Sequence, residues 1–405
     1  MNEKILRSEE ALEIYEQIKE LPIFDVHTHL RYKKPCMSNA WDLLSYHYFT
    51  EIAHSMDFSL DGVKDSEEGV KKMFEYLPAM RTTAPYFWLE QMAKKLFDCG
   101  IRDWREFYER VEQNVSSSDW MKKVIETSHI ERIALTNNPW ESFEGIDKEL
   151  FFPTFRADPL LKFDNRVVKD TFEETESFLE ERINHFTGYG CKAVAISPPD
   201  DFVYTSSASR NNSALKDAAL SASAKEKNEV RSSLLSILAA LCREKKLPFE
   251  IMFGSVRDIY RRCVPEGGDF SRANTSLLNI ADIFNDNPEV IFPLSIVSFT
   301  NDQELAEFAR VFANVYASGH WWFTNTESAI EGSLKKRLEV SPYKKHIGYY
   351  SDAYTMELIW AKFDFYRRVE SNVFADLVRG KRLTVDEAVE IIRVRDYETP
   401  KKMFS

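Results

Sequence analysis

Residues 23–30 read Ile-Phe-Asp-Val-His-Thr-His-Leu, and this stretch carries the pair of side chains best spaced to share a metal ion. Side chains of an extended strand alternate faces with period two, so His27 and His29 point the same way and Asp25 shares their face. Neutral imidazole nitrogens are good ligands for zinc and its neighbours. A bare His-x-His also arises wherever a strand meets a loop, so spacing alone leaves both readings open. The apolar approach to the pair and the partners found elsewhere in the chain favour the metal.

Those partners are polar residues at the ends of other apolar runs. Asp352 follows 346–350 and would reach the histidines if the first and last strands were neighbours; alternatively it caps the helix that begins just after it. Arg156 ends the run 150–156, where a guanidinium can fork onto a carboxylate or simply pair with Asp158. His47 and Tyr48 sit in an aromatic-rich segment, and either type can carry a proton. Trp321 and Trp322 read as wall residues. Glu250 interrupts the apolar run 249–254 on the same strand face as Met252, and the pattern does not decide whether that face looks inward or outward.

Strand ends must bring such residues together, and the chain supplies eight short strand candidates. These are the stretch at 23–30 and residues 131–137, 150–156, 191–197, 249–254, 290–296, 321–323 and 346–350. Helical patterns separate most of them, at 173–188, 229–245, 303–315 and 329–338, with closing helices at 356–377 and 385–393. A further helix over 8–20 precedes the first strand and stops at Leu21-Pro22. Alternation at this rhythm predicts parallel pairing through right-handed crossovers and a TIM-like (β/α)8 barrel of the α/β class, whose active site lies at the C-terminal strand ends. Residues 51–123 carry only helical periodicity and predict a helical insertion after the first strand, within one barrel domain spanning 1–405. A doubly wound open sheet is the alternative, but no Gly-x-Gly-x-x-Gly turn follows a strand.

Composition narrows the function classes. The 405 residues are 44% hydrophobic and 29% charged, as in ordinary globular chains, and no apolar run suits a membrane span or a secretory leader. The five cysteines are scattered without a Cys-x-x-Cys pair, which predicts reduced thiols and a cytoplasmic protein. A net charge of −12 argues against nucleic acid as a partner and means that an anionic small substrate needs a locally cationic pocket.

Taken together, the chain resembles the uronate isomerases of the amidohydrolase superfamily along nearly its whole length. The resemblance rests on Phe24-Asp25-Val26-His27-Thr28-His29-Leu30, Ser45-Tyr46-His47-Tyr48, Thr154-Phe155-Arg156, Gly319-His320-Trp321-Trp322-Phe323 and Ser351-Asp352. It implies one divalent metal, usually zinc, on His27, His29 and Asp352. It also implies metal-dependent aldose–ketose isomerisation of a hexuronate such as glucuronate or galacturonate, in carbohydrate catabolism. By the same resemblance His47, Tyr48 and Asp352 would carry the proton transfers, and Arg156, Trp321, Trp322 and Tyr354 would contact the sugar acid. Two positions depart from the family: Met252 stands where a strand-five histidine is common, and Tyr354 where an arginine usually follows the aspartate. The strand-four segment also lacks an expected Asp-His pair. A metal-dependent hydrolase or decarboxylase of a small carboxylate therefore stays open as the alternative, and so does a homo-oligomer.

Overall fold

The computed structural model describes residues 5–405 apart from 62, 207, 209, 221, 222, 263 and 266. Cys36, Cys99, Cys191 and Cys242 are free thiols, and Cys263 lies outside the described residues. Among the described residues ten strands form: β1 Ile23–Asp25, β2 Ile130–Asn137, β3 Phe151–Arg156, β4 Ala193–Ile196, β5 Phe249–Phe253, β6 Ser255–Val256, β7 Phe270–Ser271, β8 Phe292–Ile296, β9 Val315–Ser318 and β10 His346–Ile347. Eight of them make one parallel sheet in the order β1-β2-β3-β4-β5-β8-β9-β10, while β6 and β7 pair as a separate antiparallel hairpin.

The sheet curls into a TIM-like α/β barrel, with helices returning between most of its successive strands and a helix-free connection from β2 to β3. Parallel strands are covered on both faces, so β4, β5 and β8 are apolar along almost their whole length and buried throughout. Beyond the ladders, the Asp352 N–H donates to the His27 carbonyl at 3.0 Å and the His29 N–H to the Ala353 carbonyl at 2.8 Å. These bonds tie the chain after β1 to the chain after β10 and join the two ends of the sheet where polar residues gather. The helix ends are written in the sequence: Ser8 caps the helix Glu9–Ile18, and Thr171 forms a capping box with Glu174 on the helix Phe172–Gly188.

One strand lies elsewhere than its hydrophobicity predicts. The ninth strand of the chain, seventh in the barrel, is Val315–Ser318, and residues 321–323 are instead a bend leading into the 3-10 turn Trp322–Thr324. The preceding helix stops at Val311, which leaves Val315 free to pair with Phe292. Gly319 at φ +43° and Trp322 at φ +45° then turn the chain away from the extended path.

Between β1 and β2 the elements are helical: Ala40–Leu44, His47–His54, Ser66–Phe74, Ala84–Phe97, Trp104–Val115 and Trp120–Ser128, with a 3-10 turn at Leu77–Met80. They pack against the helix Met356–Arg379, for example through Phe87 on Phe365 at 5.5 Å between ring centres. That helix is buried on nearly every side from Met356 to Ala375, as expected of one held between the barrel and a second helical layer. Among the described residues no helix is long and apolar enough to cross a membrane.

Candidate active site

His27 and His29 stand just beyond the three ladder-bonded residues of β1, in chain still held extended by the bonds to Ala353 and from Asp352. Their rings are 5.3 Å apart at 87°. Asp352 Oδ1 lies 3.2 Å from His29 Nε2 and 3.8 Å from His27 Nε2. Asp352 does not cap the following helix, whose N-cap is Thr355. It adopts the left-handed φ of +52°, a conformation that non-glycine residues keep mainly where surroundings impose it.

Ligand atoms of His27, His29 and Asp352 all fall within 4.8 Å of one another. Asp352 Oδ1 is buried without a hydrogen bond of good geometry, which leaves a lone pair aimed at the two imidazoles. Two nitrogens and one carboxylate oxygen converging on one point fit a divalent transition metal. Glu250 resolves inward: its Oε2 lies 3.4 Å from His27 Nδ1. A carboxylate on one ring nitrogen orients the other toward the cluster, the usual support for a ligating histidine.

The electrostatics follow from burial and these contacts. Burial would raise the Asp352 pKa, but the close approach of His29 and the charges of His29, His27 and Lys362 hold it well below the ordinary carboxylate range. Burial lowers His29, with Asp352 opposing. Burial also works against a charge on His27, yet Glu250, Asp352 and Asp25 outweigh it and raise its pKa. Burial raises Glu250.

A layer of aromatic rings roofs the cluster. His47 packs edge-on against Tyr46, Trp322 and Tyr354, and burial pushes its pKa down to about 3. Tyr354 also packs on His29 at 5.0 Å. Tyr46 donates to the Asp352 carbonyl at 3.1 Å and receives Lys362 Nζ at 3.0 Å. Lys362 is wholly buried, and burial lowers its pKa to about 8. Tyr48 lies one ring further back, beneath Lys362, with its hydroxyl buried and unbonded; it lines a neighbouring cavity together with Glu51 and Trp322.

His27, His29, His47, Asp352 and Tyr354 open into a cavity of about 550 Å³. Arg156, Met252, Trp321 and Trp322 line it too. Arg156 is one-third exposed and pairs with Asp158, Nε to Oδ2 at 2.7 Å. Sequence reasoning missed Lys362 and Arg257 in these surroundings. A lysine on an otherwise apolar helix face was the available signal for Lys362; Arg257 sits in a segment without periodicity and offered none.

The chain matches the family described as glucuronate isomerase over residues 1–404. It is 23% identical to the uronate isomerase of Thermotoga sp. (strain RQ2), covering 99% of this chain and 98% of that relative. Its fold superimposes on crystal structures of the uronate isomerase of Thermotoga maritima, with a TM-score of 0.91 at 20% identity over 100% and 99% of the two chains, and of the glucuronate isomerase of Caulobacter crescentus, at 0.89 and 19% over 100% and 96%. The full-length match of the family and the barrel with its His-x-His and last-strand aspartate agree: the chain belongs to the glucuronate isomerase family.

Proposed function

We propose that this protein interconverts an aldohexuronate and the corresponding ketohexuronate, or a close sugar acid, in the cavity beside His27, His29 and Asp352. The observation that carries the proposal is the placing of the converging ligand set, a buried neutral imidazole and a guanidinium around one cavity. A divalent metal, zinc by its donor set, would be held by His27, His29 and Asp352 and would supply Lewis-acid fixing of substrate oxygens.

The remaining work falls to the chain's own groups. Isomerisation moves a proton between C2 and C1 of the open-chain sugar through an enediol-like intermediate, so one group must accept and another donate. His47 and Asp352, which face the cavity, are assigned these tasks, with Tyr48 packed behind His47. His47 is neutral at working pH, as a proton acceptor must be, and an anionic sugar beside it favours its protonated form. Arg156 pairs with an anionic group and fixes the chain's orientation, which supplies part of the rate by positioning. Trp321, Trp322 and Tyr354 shape the wall and exclude water. With Tyr354 where an arginine is usual, activity on glucuronate and galacturonate is expected to be weak or redirected to a related sugar acid.

The test is proton NMR of uronates and other sugar acids incubated with metal-loaded enzyme in deuterated water. Deuterium should enter at C2, and the signal should disappear in His29→Ala and Arg156→Met. No exchange with any sugar acid at full metal occupancy refutes the reading and turns attention to hydrolysis or decarboxylation of small carboxylates.

A further inference from the structure

Arg231 stands on the long helix Ala224–Lys245 between β4 and β5, half-buried, and lines the cavity of the two histidines. Its Nε donates to the Leu161 carbonyl at 3.2 Å, and its guanidinium lies over Phe163 at 5.3 Å from the ring centre. These contacts fix the plane of the fork and leave both terminal nitrogens unspent. Among the described residues no carboxylate comes within 4.0 Å of it. Only the more distant charge of Asp201 bears on it, and burial lowers its pKa. An arginine that merely lays its stem on apolar surface keeps its head in water; this head is partly desolvated and still unpaired. By contrast Arg156 pairs with Asp158, Asp200 with Arg272, and Arg257 with Asp269.

A second cation stands next to it. Lys162 follows Leu161 directly, lines the same cavity, is exposed, and likewise has no carboxylate within 4.0 Å among the described residues. The short helix Asp158–Leu161 separates this pair from Arg156 at the end of β3, which puts it about one helical turn, roughly 5 Å, further out. The metal-ligand cluster lies on the other side of Arg156, where β1 meets β10. A cavity of about 550 Å³ is in the range that holds drug-sized ligands, and a single hexuronate is smaller than those. The outer end thus offers room and two unpaired positive charges, one of them a planar fork suited to an oxyanion.

We propose that Arg231 and Lys162 form a subsite for a second anionic group, carried by the sugar acid on an oxygen remote from C1 and C2. Isomerisation needs C1 and C2 bare, and Arg156 takes the carboxylate, so the substituent hangs from an oxygen of the middle of the chain such as O-4. The substrate class is a dianionic uronate: either a phosphate ester, or a uronate bearing a second uronosyl residue whose carboxylate meets the same guanidinium. No bond forms or breaks at the subsite; it supplies affinity and selection. The inference rests on the sugar-acid reading and names the acid toward which the activity is redirected.

The experiment compares kcat/KM of metal-loaded enzyme, followed by deuterium exchange, on galacturonate, its 4-phosphate and 1,4-linked digalacturonate. Digalacturonate with its non-reducing carboxyl methylated is the control of equal size and one charge fewer. At least one dianion should exceed galacturonate by about 10- to 100-fold, the range for hydrogen bonds to a charged group, and the methyl ester should not. Which dianion is preferred tells phosphate from carboxylate. Arg231→Gln should remove most of that preference. Lys162→Gln, at an exposed position, should lower it by about threefold and carries the test if the arginine variant misfolds. Equal rates on all the probes, a preference shared by the methyl ester, or one that survives both substitutions overturns the subsite and leaves the sugar-acid reading standing. No exchange with any sugar acid overturns that reading and the subsite with it.

Discussion

Glu250 governs how His27 can serve a metal. Its carboxylate on Nδ1 fixes the proton there and leaves the Nε2 lone pair facing Asp352 and His29. Glu250→Gln keeps the shape and an acceptor oxygen but removes the negative charge that makes the imidazole a better donor. Metal affinity is expected to fall about tenfold, at the low end of the effect of such supporting residues, with the melting temperature little changed. Competition against a chromophoric chelator measures it, and unaltered affinity would reduce Glu250 to a packing role. The sequence marked Glu250 as unusual yet left its direction open. Both faces of a parallel barrel strand are apolar, so alternation carries no sign. His27 and His29 were legible because two ligands two residues apart on extended chain must share a face. Asp352 was legible through barrel closure alone.

At the scale of elements, the turn after β9 holds the site's floor in place. Gly319 has φ +43°, and a Cβ added there would lie 2.3 Å from a ring carbon of Tyr350. Tyr350 is buried and packs on His27 at 5.4 Å, while the Gly319 N–H donates to Ile347 and its carbonyl receives Arg337. Gly319→Ala is therefore expected to lose at least about 2 kcal/mol from left-handed strain and displaced aromatic packing together. It should also weaken metal binding, because a displaced Tyr350 disturbs the His27 ring packed on it. Denaturant unfolding of the apo protein checks the first effect and metal titration the second; a variant as stable as the parent would show that the turn relaxes. This turn also explains the strand misread from the sequence. Val315–Ser318 is less apolar than the aromatic run at 321–323, and hydrophobicity ranks the wrong segment first. Only the pairing of Val315 with Phe292 and of Ala317 with His346 decides it. The hairpin bearing Arg257 escaped for a related reason, since two-residue strands have no measurable period.

Across the whole molecule, buried titratable groups remote from the cavity set opposing responses to acid. His346 is fully buried; its Nδ1 accepts from Arg395 Nε at 3.4 Å, because an arginine can only donate, and its Nε2 therefore carries the proton toward Ser341 Oγ at 2.8 Å. Burial, reinforced by Arg395 and Arg337, holds its pKa well below the ordinary histidine value, and His320 is held down in the same way. The unfolded chain takes up protons near pH 6.5 where the folded one does not, so this contribution is present above that pH and is lost as pH falls below it. Glu357 acts with the opposite sign: burial raises its pKa to about 7, so its contribution is present below the unfolded carboxyl range and is lost as pH rises through 7. The parent's own stability profile mixes the two. His346→Gln separates them, since the amide oxygen still accepts from Arg395 but no longer titrates. Relative to the parent, this variant should gain about 1.4 kcal/mol of stability between pH 7.5 and 5.5, whatever fixed cost the substitution carries. Paired denaturation curves at the two pH values measure the shift, and a difference that does not change with pH would mean that folded His346 takes up a proton as readily as the unfolded chain does.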